Sequence, residues 1–126
     1  MSARVVHFEV PYDDAERARG FYRDVFGWQI QSMPEMQYNL VSTGPSGDQG
    51  PTEPGYIGGG MLQRQAPVSA PVITLEVDDI DSAFVAIEKH GGAPVGSKMD
   101  VGGMGFAAYF QDPEGNLIGL WQTAAG

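Results

Sequence analysis

A short pattern occurs twice along this chain. Phe8-Glu9-Val10 is followed by the acidic pair Asp13-Asp14, and Leu75-Glu76-Val77 is followed by Asp78-Asp79. Each copy reads as an apolar-acid-apolar strand running into carboxylates that can cap a helix. A duplicated half-domain of roughly 60 residues is the simplest reading, and a chain of 126 residues holds two such halves. We therefore expect one domain over 1–126, with module one at about 1–65 and module two at about 70–126.

The intervening sequence fits that plan. Val5 to Val10 reads as a strand, and Asp13 or Asp14 caps a helix on which Ala15, Ala18, Phe21, Tyr22 and Val25 keep helical spacing until Gly27 stops it. A second strand is predicted over Met36 to Val41, and Gly58 to Leu62 reads as a glycine-weakened one. Between them, Thr43 to Gly55 is rich in glycine, proline and acids. At about 12 residues or more, such a stretch is either a functional lid or a mobile linker. The second half repeats the order: Val72 to Val77 as strand, Asp79 or Asp81 capping a helix with Ile80, Ala83, Phe84 and Ile87 on one face, and Gly91-Gly92 ending it. Phe106 to Phe110 and Leu117 to Gln122 are strands joined by the turn Asp112-Pro113-Glu114-Gly115-Asn116. Each half reads β-α-β-β with room for one more strand, an α+β fold.

Composition narrows the chemistry. The absence of cysteine removes disulfides, thiolate metal ligands and cysteine nucleophiles. Sixteen acidic against seven basic residues give a net charge of −9, which opposes nucleic acid and anionic membrane and favours cationic ligands. No apolar run approaches the roughly 18 residues of a membrane span, and the polar start leads directly into a strand, so a cytoplasmic location is expected. Gly58-Gly59-Gly60 lacks the strand and helix context of a phosphate loop, and neither a nucleophile elbow nor a zincin helix occurs.

Strand alternation selects the candidate residues. His7 and Glu9 share one face of the first strand, and Thr74 and Glu76 share the corresponding face of its repeat, opposite the apolar residues that carry the helices. That face is left for solvent or a cavity. Two carboxylates and an imidazole can bind a divalent ion or exchange protons. Tyr38, Tyr109 and Trp121 supply aromatic walls with polar tips, Met99 and Met104 flank a glycine pair beside the same region, and His90 falls at a helix end where a cation suits the dipole.

The ordered set His7-Phe8-Glu9-Val10, Asp14-Ala15-Glu16-Arg17-Ala18, Phe21-Tyr22, Phe26-Gly27-Trp28, Val77-Asp78-Asp79-Ile80, Gly91-Gly92 and Asp112-Pro113-Glu114-Gly115-Asn116 resembles the vicinal oxygen chelate superfamily. Glyoxalase I, bleomycin-resistance proteins and extradiol dioxygenases belong to it, as do many small glyoxalase-related proteins. The resemblance implies two βαβββ modules in one chain, curved mixed sheets around a cavity, and a homodimer. It also implies a divalent metal held by four inward His, Glu or Gln side chains. Carried over, His7 matches the first-strand ligand, its second-module counterpart falls on Val72 or Thr74, and the two last-strand positions fall on Gly119 and within Gly58-Gly59-Gly60. The small residues at those positions point to a metal-free cavity for a small organic molecule, with contacts from His7, Glu9, Tyr38, Thr74, Glu76, Tyr109 and Trp121. No cofactor is then expected, and turnover is left open. The alternative is a metal-dependent lyase, isomerase or dioxygenase with a shifted site on His7 and Glu9 or Glu76; Gln122 would join it only through a strand bulge.

Overall fold

The computed structural model of the chain describes residues 2–48 and 50–124. The chain divides into two compact units. One spans His7 to Pro71; the other joins the residues up to Val6 with those from Val72 onward.

In the amino-terminal unit, strand β1 (Val5–Tyr12) leads into helix α1 (Ala15–Phe26), followed by β2 (Gln29–Met33), β3 (Tyr38–Ser42), a two-residue pair β4 (Ser46–Gly47) and β5 (Gly50–Pro51), and β6 (Gly58–Gln63). The sheet order is β2-β3-β6-β1, antiparallel except for the parallel pair of β6 with β1. The carboxy-terminal unit runs β7 (Val72–Glu76), α2 (Ile80–Lys89), β8 (Ala93–Asp100), β9 (Gly105–Gln111) and β10 (Leu117–Thr123), in the order β8-β9-β10-β7, again with only the outer first-and-last pair parallel. Both units are βαβββ, and their strand pairing is the same. The start of β1 belongs to the carboxy-terminal unit, where the Glu76 amide donates to the Arg4 carbonyl at 2.9 Å.

Local chemistry explains the helix limits. Asp14 and Asp79 are extended N-caps whose carboxylates accept from the amides of Arg17 and Ser82. Gly27, at φ 72°, turns α1 off in the left-handed region, with the Gly27 and Trp28 amides returned to the carbonyls of Arg23 and Tyr22. His90 caps α2, its Nδ1 lying 2.9 Å from the Ala86 carbonyl.

The two helices are anchored differently. Helix α2 presses Ile80, fully buried, against Ala108 and Leu120, with Leu75, Val77, Phe84 and Ile87 around them. Helix α1 has no buried residue; instead Tyr22 stacks on Trp28 with ring centres 4.5 Å apart, and Trp28 lies against Phe8 of β1 at 5.4 Å. Offset ring pairs of this kind hold more than their area alone supplies.

Three expectations are corrected. The strand expected over Met36 to Val41 is β3 and starts at Tyr38, because Pro34 opens a short 3-10 turn after β2 and Gln37 reverses the chain at φ 51°. The missing strand of module two is β8: its pairing shifts between Val95 and Met99 around Gly96 at φ 75°, which erases the alternation a strand normally shows in sequence. Met99 therefore lies in a strand, and Gly102-Gly103 form the turn into β9. β10 is unbroken at Gln122, so the bulge that would bring it to the shifted site is absent; its Oε1 instead accepts the Ile80 amide at 2.8 Å and caps α2 from another element. Replacing Gln122 by Ala is expected to lower unfolding free energy by about 1 kcal/mol. The denaturation midpoint should fall with an unchanged denaturant slope, and Gln122→Glu, which keeps the acceptor, should avoid most of that loss.

Candidate functional site

In the amino-terminal unit the sheet face away from α1 carries His7 and Glu9 on β1 and Tyr38 on β3. Phe8 points the other way to Trp28, and Tyr12 likewise to Asn39, as strand alternation requires. His7 Nε2 lies 2.8 Å from the Tyr38 hydroxyl, and that hydroxyl donates to Glu9 Oε2 at 2.8 Å. The phenol has one hydrogen. With it committed to Glu9, the imidazole must be the donor in the other bond, so His7 is the Nε2–H tautomer with its lone pair on Nδ1.

Glycine makes this chain of bonds fit. β6 runs parallel to β1 with Gly60 opposite Glu9, and a Cβ on Gly60 would overlap the Tyr38 hydroxyl and ring. The glycine run that sequence reading treats as a weakened strand is thus the opening through which Tyr38 reaches the first strand. Tyr38 is held from behind by its neighbour Asn39, 2 % exposed, which accepts from Arg19 at 3.2 Å and donates to the Tyr12 hydroxyl at 3.0 Å and the Met61 carbonyl at 3.2 Å.

Two expectations about this face change. Glu9 is only 7 % exposed, so it is a buried, hydrogen-bonded carboxylate and not a solvated one. The volume expected at the glycine positions is taken up, by Tyr38 at Gly60 and by the Thr74 hydroxyl, 2.6 Å from where a Cβ on Gly119 would stand. Burial holds the His7 imidazole below the usual 6.5, with the Glu9 charge raising it only in part.

The carboxy-terminal unit holds the other four candidates on one face. Thr74 pairs with Gly119, Gly119 with Tyr109, and Glu76 with Trp121. Thr74 is buried, whereas Glu76 is exposed. The Trp121 indole N–H donates to Thr123 Oγ1 at 3.1 Å, and Thr123 donates to Glu76 Oε2 at 3.3 Å. Thr123 is the residue that sequence reading missed; only its period-two relation to Trp121 could have signalled it.

Within the Thr43 to Gly55 segment β4 and β5 pair antiparallel, Ser46 with Pro51 and Gly47 with Gly50. The Pro45 carbonyl accepts from the Thr52 amide, the Thr52 hydroxyl and the Tyr56 hydroxyl, and Thr43 donates to the Ile57 carbonyl.

Nε2 of His7 carries the proton donated to Tyr38 while Nδ1 keeps its lone pair, and the two glycine positions offer no ligand atom. Among the described residues no three His, Cys, Asp or Glu side chains gather closely enough to hold an ion.

Comparison with known proteins identifies the family and the fold. The bleomycin resistance protein-like N-terminal family matches residues 4–44. A glyoxylase-like domain-containing protein of Didymella fabae is 30 % identical over 124 residues, 92 % of this chain and 91 % of the relative. The chain belongs to the glyoxalase and bleomycin-resistance superfamily. A superfamily member from Vibrio splendidus shares its fold at a TM-score of 0.61 and 17 % identity, covering 97 % of this chain and 99 % of the other. A Streptomyces coelicolor methylmalonyl-CoA epimerase variant in complex with 2-nitronate-propionyl-CoA does so at 0.66 and 17 %, covering 99 % and 97 %. In this glyoxalase-like protein the vicinal oxygen chelate fold is thus present, and no described helix is long and apolar enough to cross a membrane.

Two outcomes are expected. Gly60→Ala should expel Tyr38 and cost about 1–3 kcal/mol of stability, because the added methyl meets the phenol with no free space. For His7, whose folded value is depressed below 6.5, the unfolded chain binds the proton first as pH falls. Stability should therefore be lost from about pH 6.5 downward, to the point where the folded imidazole also protonates. His7→Gln should flatten this part of a pH series of denaturation curves; an unaltered slope would show that His7 does not supply it.

Proposed function

We propose that this glyoxalase-like protein binds a small organic molecule on the strand face bearing His7, Tyr38 and Glu9, without the four-ligand metal set of its metal-dependent relatives. The observation that carries the reading is the half-buried hydrogen-bond chain His7–Tyr38–Glu9. It engages Nε2 of His7 and fixes a polar group on a sheet face, an arrangement suited to orienting a ligand through a few polar contacts. Thr74, Glu76, Tyr109 and Trp121, on the corresponding face of the carboxy-terminal unit, are proposed as ligand contacts of that unit. The homodimer implied by the resemblance belongs to the same proposal and would appear in light scattering as twice the 13.5 kDa chain mass.

A second reading, proton transfer, is favoured by one specific feature. His7 is neutral at pH 7 with its lone pair on Nδ1, and a proton taken there would be balanced by the Glu9 carboxylate through Tyr38. The methylmalonyl-CoA epimerases among the solved neighbours make acyl-CoA esters reasonable first probes.

The deciding measurement is thermal stability across a panel of metabolites, antibiotics and acyl-CoA esters. A binder present at about a hundred times its Kd adds about 2.7 kcal/mol, a rise of several degrees that Tyr38→Phe and His7→Gln should abolish. A panel without any response, or a response that both variants keep, would overturn the assignment. For a hit with an acidic C–H, exchange of that hydrogen with deuterated solvent would establish proton transfer. Protein dialysed against Mn, Fe, Co, Ni and Zn is expected to retain no stoichiometric metal by elemental mass spectrometry.

A further inference from the structure

Within the amino-terminal unit a second concave feature lies where α1 ends and the hairpin begins. It is an open recess of about 500 Å³, lined by Gly27, Gln29, Ser42, Thr43, Ser46 and Thr52 among others, none of them charged. Tyr38 and Ser42 stand at opposite ends of β3. At the rise of an extended strand this separates the recess from the His7–Tyr38–Glu9 chain by about 13 Å. It therefore has to be explained on its own terms.

Three of the four hydroxyl groups that line it are polarised in one sense. Thr43 donates its hydrogen to the Ile57 carbonyl at 2.8 Å, Ser46 to the Gly44 carbonyl at 2.9 Å, and Thr52 to the Pro45 carbonyl at 3.1 Å. Each hydroxyl has a single hydrogen, so each turns only lone pairs outward. Gly27, the cap of the twelve-residue α1, lines the same recess and brings the negative end of the helix dipole to it. The net charge of −9 adds a field of the same sign. The wall is also preorganised, since the Pro45 carbonyl ties both ends of the hairpin together and Gly44 leaves no room for a side chain beneath the Tyr56 ring. A ligand would not have to order it on arrival.

From this we infer that the recess is a binding site for a small organic ammonium group. An ammonium has three donors and no acceptor, matching a surface that offers acceptors at the end of a helix. At about 500 Å³ the open recess has room for an ammonium that carries further heavy atoms. The site does not depend on the function proposed for the His7 face.

Three probes of nearly equal size and different charge test the inference on the full chain: ethanolamine, ethylene glycol and glycolate. In two-dimensional amide NMR spectra, ethanolamine alone should produce saturable shifts at Gly27, Gly44, Ser46 and Thr52. The glycol and the acid should not, and added salt should weaken the effect. Thr43→Val, which removes one lone-pair donor, should lower the ethanolamine affinity about tenfold, the usual worth of a hydrogen bond to a charged group. Thr43→Ser should restore it. Should Thr43→Val disturb the hairpin, Ser46→Ala removes another acceptor from the far wall and should act in the same direction. Equal responses to all three probes, no saturation, or shifts confined to Glu9 and Tyr38 would overturn the assignment; the last outcome would leave the function proposed for that face standing.

Discussion

The geometry of each unit rests on the parallel pairing of its first and last strands, because that pairing decides which side chains face each other on the sheet face turned away from the helix. In the amino-terminal unit it sets Gly60 beside Glu9; in the other it sets Trp121 beside Glu76 and Gly119 beside Thr74. A side chain opposite Glu9 would exclude Tyr38, and with it the bond to His7. The missing Cβ is therefore as much a part of the site as the groups that form hydrogen bonds.

Duplication supplies the same backbone twice, and the two copies of the glutamate have diverged in surroundings. Glu9 is buried and receives a phenol directly, from a strand that reaches across a glycine. Glu76 is exposed and meets the indole of its own strand partner through the Thr123 hydroxyl. A buried acceptor with a fixed donor is an orienting group, while an exposed carboxylate beside an aromatic ring is free to exchange water for a ligand at small cost. The repeat thus preserved position and changed chemistry.

Much of the fold was legible in the sequence, for identifiable reasons. Asp14 and Asp79 before apolar residues at helical spacing, with Gly27 and Gly91-Gly92 after them, mark both helices by capping chemistry that acts locally. β8 was hidden because a bulge breaks period-two alternation. The grouping of His7 with Glu9 followed from alternation on one strand, but the hydrogen bonds that Tyr38 makes depend on Gly60, on a different strand. Such a dependence is long-range and leaves no periodic trace. Gln122 illustrates the same limit: nothing around it in sequence announces a helix cap forty-two residues away.

The unequal anchoring of the two helices has a spectroscopic consequence. The protein has two tryptophans, one in each compact unit: Trp28, sandwiched by Tyr22 and Phe8 under α1, and Trp121, tied by its indole nitrogen to Thr123 on β10. One ring sits among aromatic rings and the other has its indole nitrogen hydrogen-bonded to a hydroxyl, so their emission should differ in colour. The fluorescence of the unmodified chain would then report on the two halves of the duplication separately, showing whether they melt together or in turn.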